Sequence, residues 1–132
     1  KSIKKKVTVG DDLAKFFNIE IIYFDFDKSN IRPDAAVDLA KIVEVMKEHP
    51  TIKIAIKSHT DSRGSDAYNL ALSDRRAKST LEWMVQQGID RSRLTAKGYG
   101  ETQLVNGCSN GVPCSEEEHQ KNRRSEFIIT EM

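Results

Sequence analysis

Hydrophobic residues recur at helical spacing in two long segments of the chain. In the first segment, one apolar face is formed at i, i+3, i+4 and i+7 by Leu39, Ile42, Val43 and Met46. Pro33 suits the first turn of this helix, because the N–H that proline lacks would be unpaired there. The helix should end near His49-Pro50, since the residue before a proline avoids the helical region.

The second helical segment runs roughly from Ala67 to Gln87. Its apolar side is predicted to consist of Leu70, Ala77, Leu81, Met84 and Val85. Gly88 follows as a stop signal, because glycine readily adopts the left-handed conformation that ends many helices. A shorter helix is predicted after Gly10-Asp11-Asp12, whose carboxylates can cap it.

Alternating and β-branched runs predict four strands. Ile52, Ile54 and Ile56 alternate with less apolar residues and indicate a half-buried strand. The other strands are predicted at Ile19 to Phe26, Leu94 to Tyr99 and about Arg123 to Thr130. After the short N-terminal helix, the element order is therefore β-α-β-α-β-β. Because both long helices occupy crossover positions, we predict an α/β (α+β) fold, a mixed sheet with the two main helices packed on one face.

Length and charge narrow the functional classes. The 132 residues suffice for one domain. We expect residues 1–10 to be the end of a linker and residues 11–132 to be that domain. Lysine and arginine number 21 and aspartate and glutamate 20, so the net charge is only +1. Such a balance argues against a nucleic-acid-binding protein, which would show a strong basic excess.

Polar side chains follow the predicted strands and lie on one face of the second long helix. The loop from His59 to Gly64 contains Asp61, and the helix carries Asn69, Leu72 and Arg76 at i, i+3 and i+7. A carboxylate and a guanidinium in this arrangement suit a small zwitterion, with Asp61 for an ammonium and Arg76 for a carboxylate. Each residue also has a simpler interpretation: Asp61 as a cap or turn residue, Arg76 as a solvated or salt-bridged arginine, and His59 as a structural residue.

Cys108 and Cys114 lie six residues apart in a polar segment. They could form a disulfide, which would suggest an oxidising compartment, or remain free thiols. A metal site is the weakest of the three interpretations, because His119 alone does not complete a four-ligand set. We predict no cofactor and no enzymatic activity, because no catalytic constellation is evident in the sequence.

Five ordered motifs resemble the OmpA-like C-terminal domain, the peptidoglycan-binding module of OmpA, of peptidoglycan-associated lipoprotein and of the MotB stator protein. The motifs span most of the chain and are Phe24-Asp25-x-Asp27-Lys28-Ser29-x-Ile31, His59-Thr60-Asp61-x-x-Gly64, Tyr68-Asn69-x-x-Leu72-Ser73-x-x-Arg76-Ala77, Gly98-Tyr99-Gly100-Glu101 and Asn122-Arg123-Arg124-x-Glu126-Phe127.

The resemblance implies non-covalent binding of peptidoglycan through the diaminopimelate residue of its stem peptide. Asp61 would hold the ammonium and Arg76 the carboxylate, and the site would be completed by Thr60, Asn69, Leu72, Asp27 and Arg123. It further implies a periplasmic domain of an outer-membrane-associated protein that anchors the membrane to the wall. A homodimer is left open. The alternatives are a structural or oligomerisation domain without wall binding, and a wall hydrolase.

Overall fold

The computed structural model describes residues 8–16, 33–60, 65–100, 102, 104, 106–108, 112–115, 118–119 and 125–132. Three helices lie within these residues: α1 (Leu13–Phe16), α2 (Pro33–Glu48) and α3 (Asp66–Gln86). Three strands lie among them, β1 (Lys53–His59), β2 (Leu94–Gly100) and β3 (Ser125–Glu131), and a short 3-10 helix, Arg91–Arg93, precedes β2. The predicted strand from Ile19 to Phe26 and the turn that follows it lie outside the described residues.

The described strands form a mixed sheet in the order β2-β1-β3. β1 and β2 are parallel, with Ile56 opposite Ala96, and β1 and β3 are antiparallel, with Ile56 opposite Phe127. The parallel pair is joined by α3, as the crossover position of that helix predicts. The predicted fold class, a mixed α+β sheet with helices, is therefore confirmed.

One hydrophobic core lies between the sheet and the helices. The strands contribute the alternate side chains that the sequence pattern assigns to one face, among them Ile54, Ile56, Phe127 and Ile129. The four predicted apolar positions of α2 are all buried in the same core. Both long helices thus cover the same side of the sheet. Among the described helices, none combines the length and the apolarity needed to cross a bilayer.

Local signals set the ends of the long helices. α2 begins at Pro33 and ends one residue before His49. α3 is followed by Gly88, whose φ of 104° confirms the predicted left-handed stop. Ser65 caps the other end of α3, because its Oγ accepts a hydrogen bond from the Tyr68 N–H at 3.2 Å.

The predicted apolar face of α3 is wrong at Leu70, whose side chain is 48% exposed. The buried positions in this half of the helix are instead Asn69, Leu72 and Ser73. The physical reason is the end of β2, which presents backbone N–H groups to α3. Polar side chains that can satisfy these groups therefore face inward, and Leu70 faces outward.

Arg93 connects the end of α2 to the start of β1. Its Nε donates to the carbonyl oxygen of Ile52 at 3.0 Å, and its Nη2 donates to those of Met46 and His49 at 2.9 and 2.8 Å. Two of these carbonyls lie at the C-terminal end of α2, where helical partners are lacking. Burial lowers the pKa of the Arg93 guanidinium from its usual value.

Candidate functional site

The C-terminal ends of β1 and β2 meet at Gly100. The Thr60 N–H, just beyond β1, donates to the Gly100 carbonyl oxygen at 2.8 Å. The strand register shifts between Ser58 and His59, so that Tyr99 is the extra residue of a β-bulge. Bulges of this kind redirect side chains and recur next to binding sites. The chain is therefore firmly paired up to Thr60.

Gly98 allows β2 to approach the backbone of α3 directly. A Cβ added at this position would lie 2.1 Å from the Asp74 nitrogen and 2.4 Å from the Ser73 carbonyl carbon. No other residue type fits such a contact, because the neighbouring atoms belong to a helix backbone. Gly100 lies less close to the helix, with its own φ at +55° and the Leu70 nitrogen 3.0 Å from an added Cβ.

Two side chains of α3 satisfy the amides of β2 at this approach. Ser73 Oγ accepts from the Gly100 N–H at 2.9 Å and donates to the Leu70 carbonyl oxygen at 2.9 Å. Asp74 Oδ1 accepts from the Gly98 N–H at 3.2 Å. The hydrogen bond from Lys78, and then that from Gly98, lower the pKa of the Asp74 carboxyl. The N-terminal half of α3 is thereby fixed against the end of the sheet.

Four of the predicted site residues lie on the segments that this junction joins. Thr60 and Asn69 are buried on either side of Gly100, and Leu72 is buried one turn along α3. Arg76 is half-buried a further turn along the helix. Asp27, Asp61 and Arg123 lie outside the described residues, so their places in the site stay predictions.

His59 lies on the opposite face of the sheet from α3 and is buried. Its ring stacks on Tyr99 with centroids 5.3 Å apart and an angle of 15° between the planes. Its Nε2 is 3.2 Å from the Glu126 Oε1, and its Nδ1 is buried without a hydrogen-bond partner. The carboxylate therefore selects the tautomer that carries its proton on Nε2. Such a clamped ring is suited to a structural role, as the sequence predicts.

Sequence reasoning missed Ser73 as a site-positioning residue and did not anticipate the partnership of His59 with Glu126. Ser73 is invisible to a search for hydrophobic periodicity, because a polar residue on a long helix is normally assigned to solvent. The spacing Gly98-x-Gly100 at a strand end was an available signal for close backbone approach. The His59 contact had no local signal, because its partner is 67 residues away in the chain.

Cys108 and Cys114 form a disulfide, with their Cα atoms 6.0 Å apart. The bond confirms the first of the three interpretations that the sequence leaves open. A carboxylate oxygen of Glu118 and the two sulfur atoms lie within 4.8 Å of one another. These sulfurs are bonded to each other and are not thiolates, so this group does not form a metal site in the oxidised protein.

Comparison with known proteins identifies the family. Residues 23–120 match the model of the OmpA family, and the chain therefore belongs to that family. Over 108 residues it is 33% identical to the peptidoglycan-associated lipoprotein of Agrobacterium fabrum, covering 82% of this chain and 58% of that protein. Over 94 residues it is 39% identical to outer membrane porin F of Pseudomonas fluorescens, covering 70% of this chain and 29% of that protein.

Another relative is the photosystem I P700 chlorophyll a apoprotein A2 of Gloeobacter violaceus, which is 42% identical over 113 residues. That match covers 83% of this chain and only 13% of the relative. The chain thus spans less than two thirds of the length of each of these three curated relatives.

Solved structures show the same fold. The peptidoglycan-associated lipoprotein of Burkholderia pseudomallei superposes with a TM-score of 0.69 at 28% identity, covering 82% of this chain and 87% of that one. A MotB-like protein of Desulfovibrio vulgaris superposes with a TM-score of 0.70 at 28% identity, covering 82% and 67%. These neighbours represent two of the three kinds of protein in which the resembled domain occurs, peptidoglycan-associated lipoprotein and MotB.

Proposed function

We propose that this chain is a non-enzymatic module that binds peptidoglycan non-covalently and anchors an envelope protein to the cell wall. The observation that carries the proposal is the junction at Gly100, which holds the end of β1 and the N-terminal half of α3 together. These two segments carry Thr60, Asn69 and Arg76. Support comes also from the relatives, which include a peptidoglycan-associated lipoprotein and an outer membrane porin.

The proposed ligand is the diaminopimelate residue of the stem peptide. Its free end bears an ammonium, for the Asp61 carboxylate, and a carboxylate, for the Arg76 guanidinium. Leu72 would contact the aliphatic part of the ligand, with Thr60 and Asn69 as hydrogen-bonding groups. Asp27 and Arg123, which lie outside the described residues, would complete the site. Each charge-assisted contact would contribute about 1.5–3 kcal/mol. Many weak sites on a polymer would then give firm retention through avidity.

The disulfide is consistent with the periplasm, because disulfides persist in oxidising compartments. The relatives named as an outer membrane porin and a peptidoglycan-associated lipoprotein support the same location. We therefore place the module in the periplasm of a Gram-negative-type envelope, as part of an outer-membrane-associated protein.

Co-sedimentation with purified sacculi tests the proposal. Arg76→Ala and Asp61→Ala should each lower affinity by about 10- to 100-fold, which is the loss of one charge-assisted contact. Arg76→Lys should also bind less well, because an ammonium cannot make the two-pronged contact of a guanidinium. Arg75→Ala is the matched control, since its side chain is the exposed neighbour on the same helix. If the Arg76 and Asp61 variants sediment as well as the Arg75 variant, the chain is a structural domain and the proposal is wrong.

The pH dependence of the same assay tests whether the Asp61 carboxylate takes part in binding. Binding requires ionised Asp61, so affinity should fall as the pH approaches the value of about 3.9 for a model aspartate. Asp61→Asn should bind weakly at every pH and remove that fall. Retention of the folded wild type that stays constant through this range would contradict a carboxylate–ammonium contact.

A further inference from the structure

Two lysines lie directly opposite each other on the sheet face that α2 and α3 leave uncovered. Lys57 of β1 is the register partner of Lys97 of β2, and both alternate with residues that point into the core. Like charges directly opposite each other on neighbouring strands are destabilising. The positive charge is concentrated locally at this pair, because the net charge of the whole chain is only +1.

Both ammonium groups lie over the same aromatic ring. Lys57 Nζ is 5.6 Å and Lys97 Nζ is 5.2 Å from the centroid of Tyr99. Each position gives a cation–π contact of modest strength. The ring is itself held in place, since it stacks on the buried imidazole of His59. The two lysines therefore converge on a fixed platform.

Neither lysine forms a direct ion pair within the described part of the chain. The ion pairs there place no carboxylate oxygen within 4 Å of either Nζ. Glu126, the partner of Lys57 on β3, is engaged with His59 at 3.2 Å. Asp74 lies near enough to Lys97 for their charges to interact, yet its own ion pair is with Lys78 at 2.7 Å. An external anion on this face would relieve the repulsion between the lysines.

We propose that Lys57, Lys97 and Tyr99 form an accessory binding surface for a carboxylate of the same wall polymer. This inference rests on the proposed function, because the polymer supplies both ligands. Peptidoglycan stem peptides carry free carboxylates in a repeating array, and lysine binds such groups as a flexible point charge. The surface lies on the opposite side of the sheet from Arg76. It would therefore contact a second group of the polymer and increase retention through avidity.

The test compares sacculi with free diaminopimelate. Lys57→Gln/Lys97→Gln should lower affinity for sacculi about 2- to 10-fold at low salt, as expected for surface charge contacts of the half-buried Lys57 and the exposed Lys97. The difference should disappear at high salt, where exposed charges are screened. Binding of free diaminopimelate should not change. The control is Lys41→Gln/Lys47→Gln, which removes the same charge from exposed positions of α2.

A charge-conserving variant separates binding from folding. Lys57→Arg/Lys97→Arg should retain wild-type affinity for sacculi. The double glutamine variant should be no less stable to unfolding than wild type, because like-charge repulsion is removed. If the double glutamine variant sediments like its α2 control at low salt, the accessory surface is refuted. If it loses binding to vesicles of anionic phospholipid and keeps binding to sacculi, the wall polymer is the wrong partner.

Arg76→Ala distinguishes the two proposals. Loss of diaminopimelate binding in Arg76→Ala, together with unchanged sacculus binding in the double glutamine variant, would refute the accessory surface alone. Retention of diaminopimelate binding in Arg76→Ala would refute the assignment of the principal site.

Discussion

Substitution of Gly98 by alanine should separate α3 from the sheet. The added Cβ would lie 2.1 Å from the Asp74 nitrogen, whereas an ordinary contact begins at 3.4 Å. Because the opposing atoms are helix backbone, relief requires the helix and the strand to move apart by about 1 Å. Such a movement would stretch the 2.9 Å hydrogen bond from the Gly100 N–H to Ser73 Oγ beyond useful length.

The magnitude follows from these two effects. Overpacking of a close contact costs about 1–3 kcal/mol, and each buried hydrogen bond that is broken adds about 1 kcal/mol. Gly98→Ala should therefore lower the free energy of unfolding by about 2–5 kcal/mol. Ser73→Ala, which removes the acceptor without a clash, should lower it by only about 1–2 kcal/mol.

Urea denaturation followed by circular dichroism measures these differences. Gly107→Ala is the matched control, because an added Cβ there meets nothing within 4 Å. It should change the free energy of unfolding by no more than about 1 kcal/mol. The expected order of loss is Gly98→Ala, then Ser73→Ala, then Gly107→Ala, at a similar m-value. A Gly98→Ala protein as stable as the Gly107 variant would refute the close approach of β2 to α3.

Two further predictions concern other parts of the fold. Arg93→Met should lower the free energy of unfolding by about 2–4 kcal/mol, because three backbone carbonyls lose a charged donor. In the same urea assay, Arg93→Lys should recover only part of the lost stability. Asp12 Oδ1 accepts from the N–H groups of Ala14 and Phe127, and burial raises the pKa of its carboxyl. An acid whose pKa is raised on folding stabilises the protein most below its unfolded pKa of 3.8, and this contribution is lost as the pH rises through the folded value. Asp12→Asn cannot ionise, so its stability relative to wild type should increase as the pH rises above 3.8. A constant difference in unfolding midpoint would contradict the pKa shift.

Residue patterns in the sequence predicted one part of the candidate site. Asn69, Leu72 and Arg76 were predicted to share a helix face, and two of the three are buried and one half-buried on α3. That prediction needed only the helical period. Their relation to Thr60 is implied by the family motifs. What the structure adds is a pair of glycines, Gly98 and Gly100, that let the strand end reach the helix backbone.

The sequence by itself determined the features that depend on neighbouring residues. Pro33, the His49-Pro50 pair and Gly88 mark where the two long helices begin or end, because proline and glycine restrict or release the local backbone whatever surrounds them. Alternation of Ile54 and Ile56 with less apolar residues likewise selected the buried face of β1, since a strand places successive side chains on opposite sides.

Only the tertiary structure decided which polar groups are buried and with what partners. Ser73 faces inward and Leu70 outward because backbone amides of β2 require acceptors at that point, and β2 is more than twenty residues away along the chain. The clamp of His59 by Glu126 and the convergence of Lys57 and Lys97 on Tyr99 depend on strand register. Register is set by the packing of the whole sheet, and no local pattern encodes it.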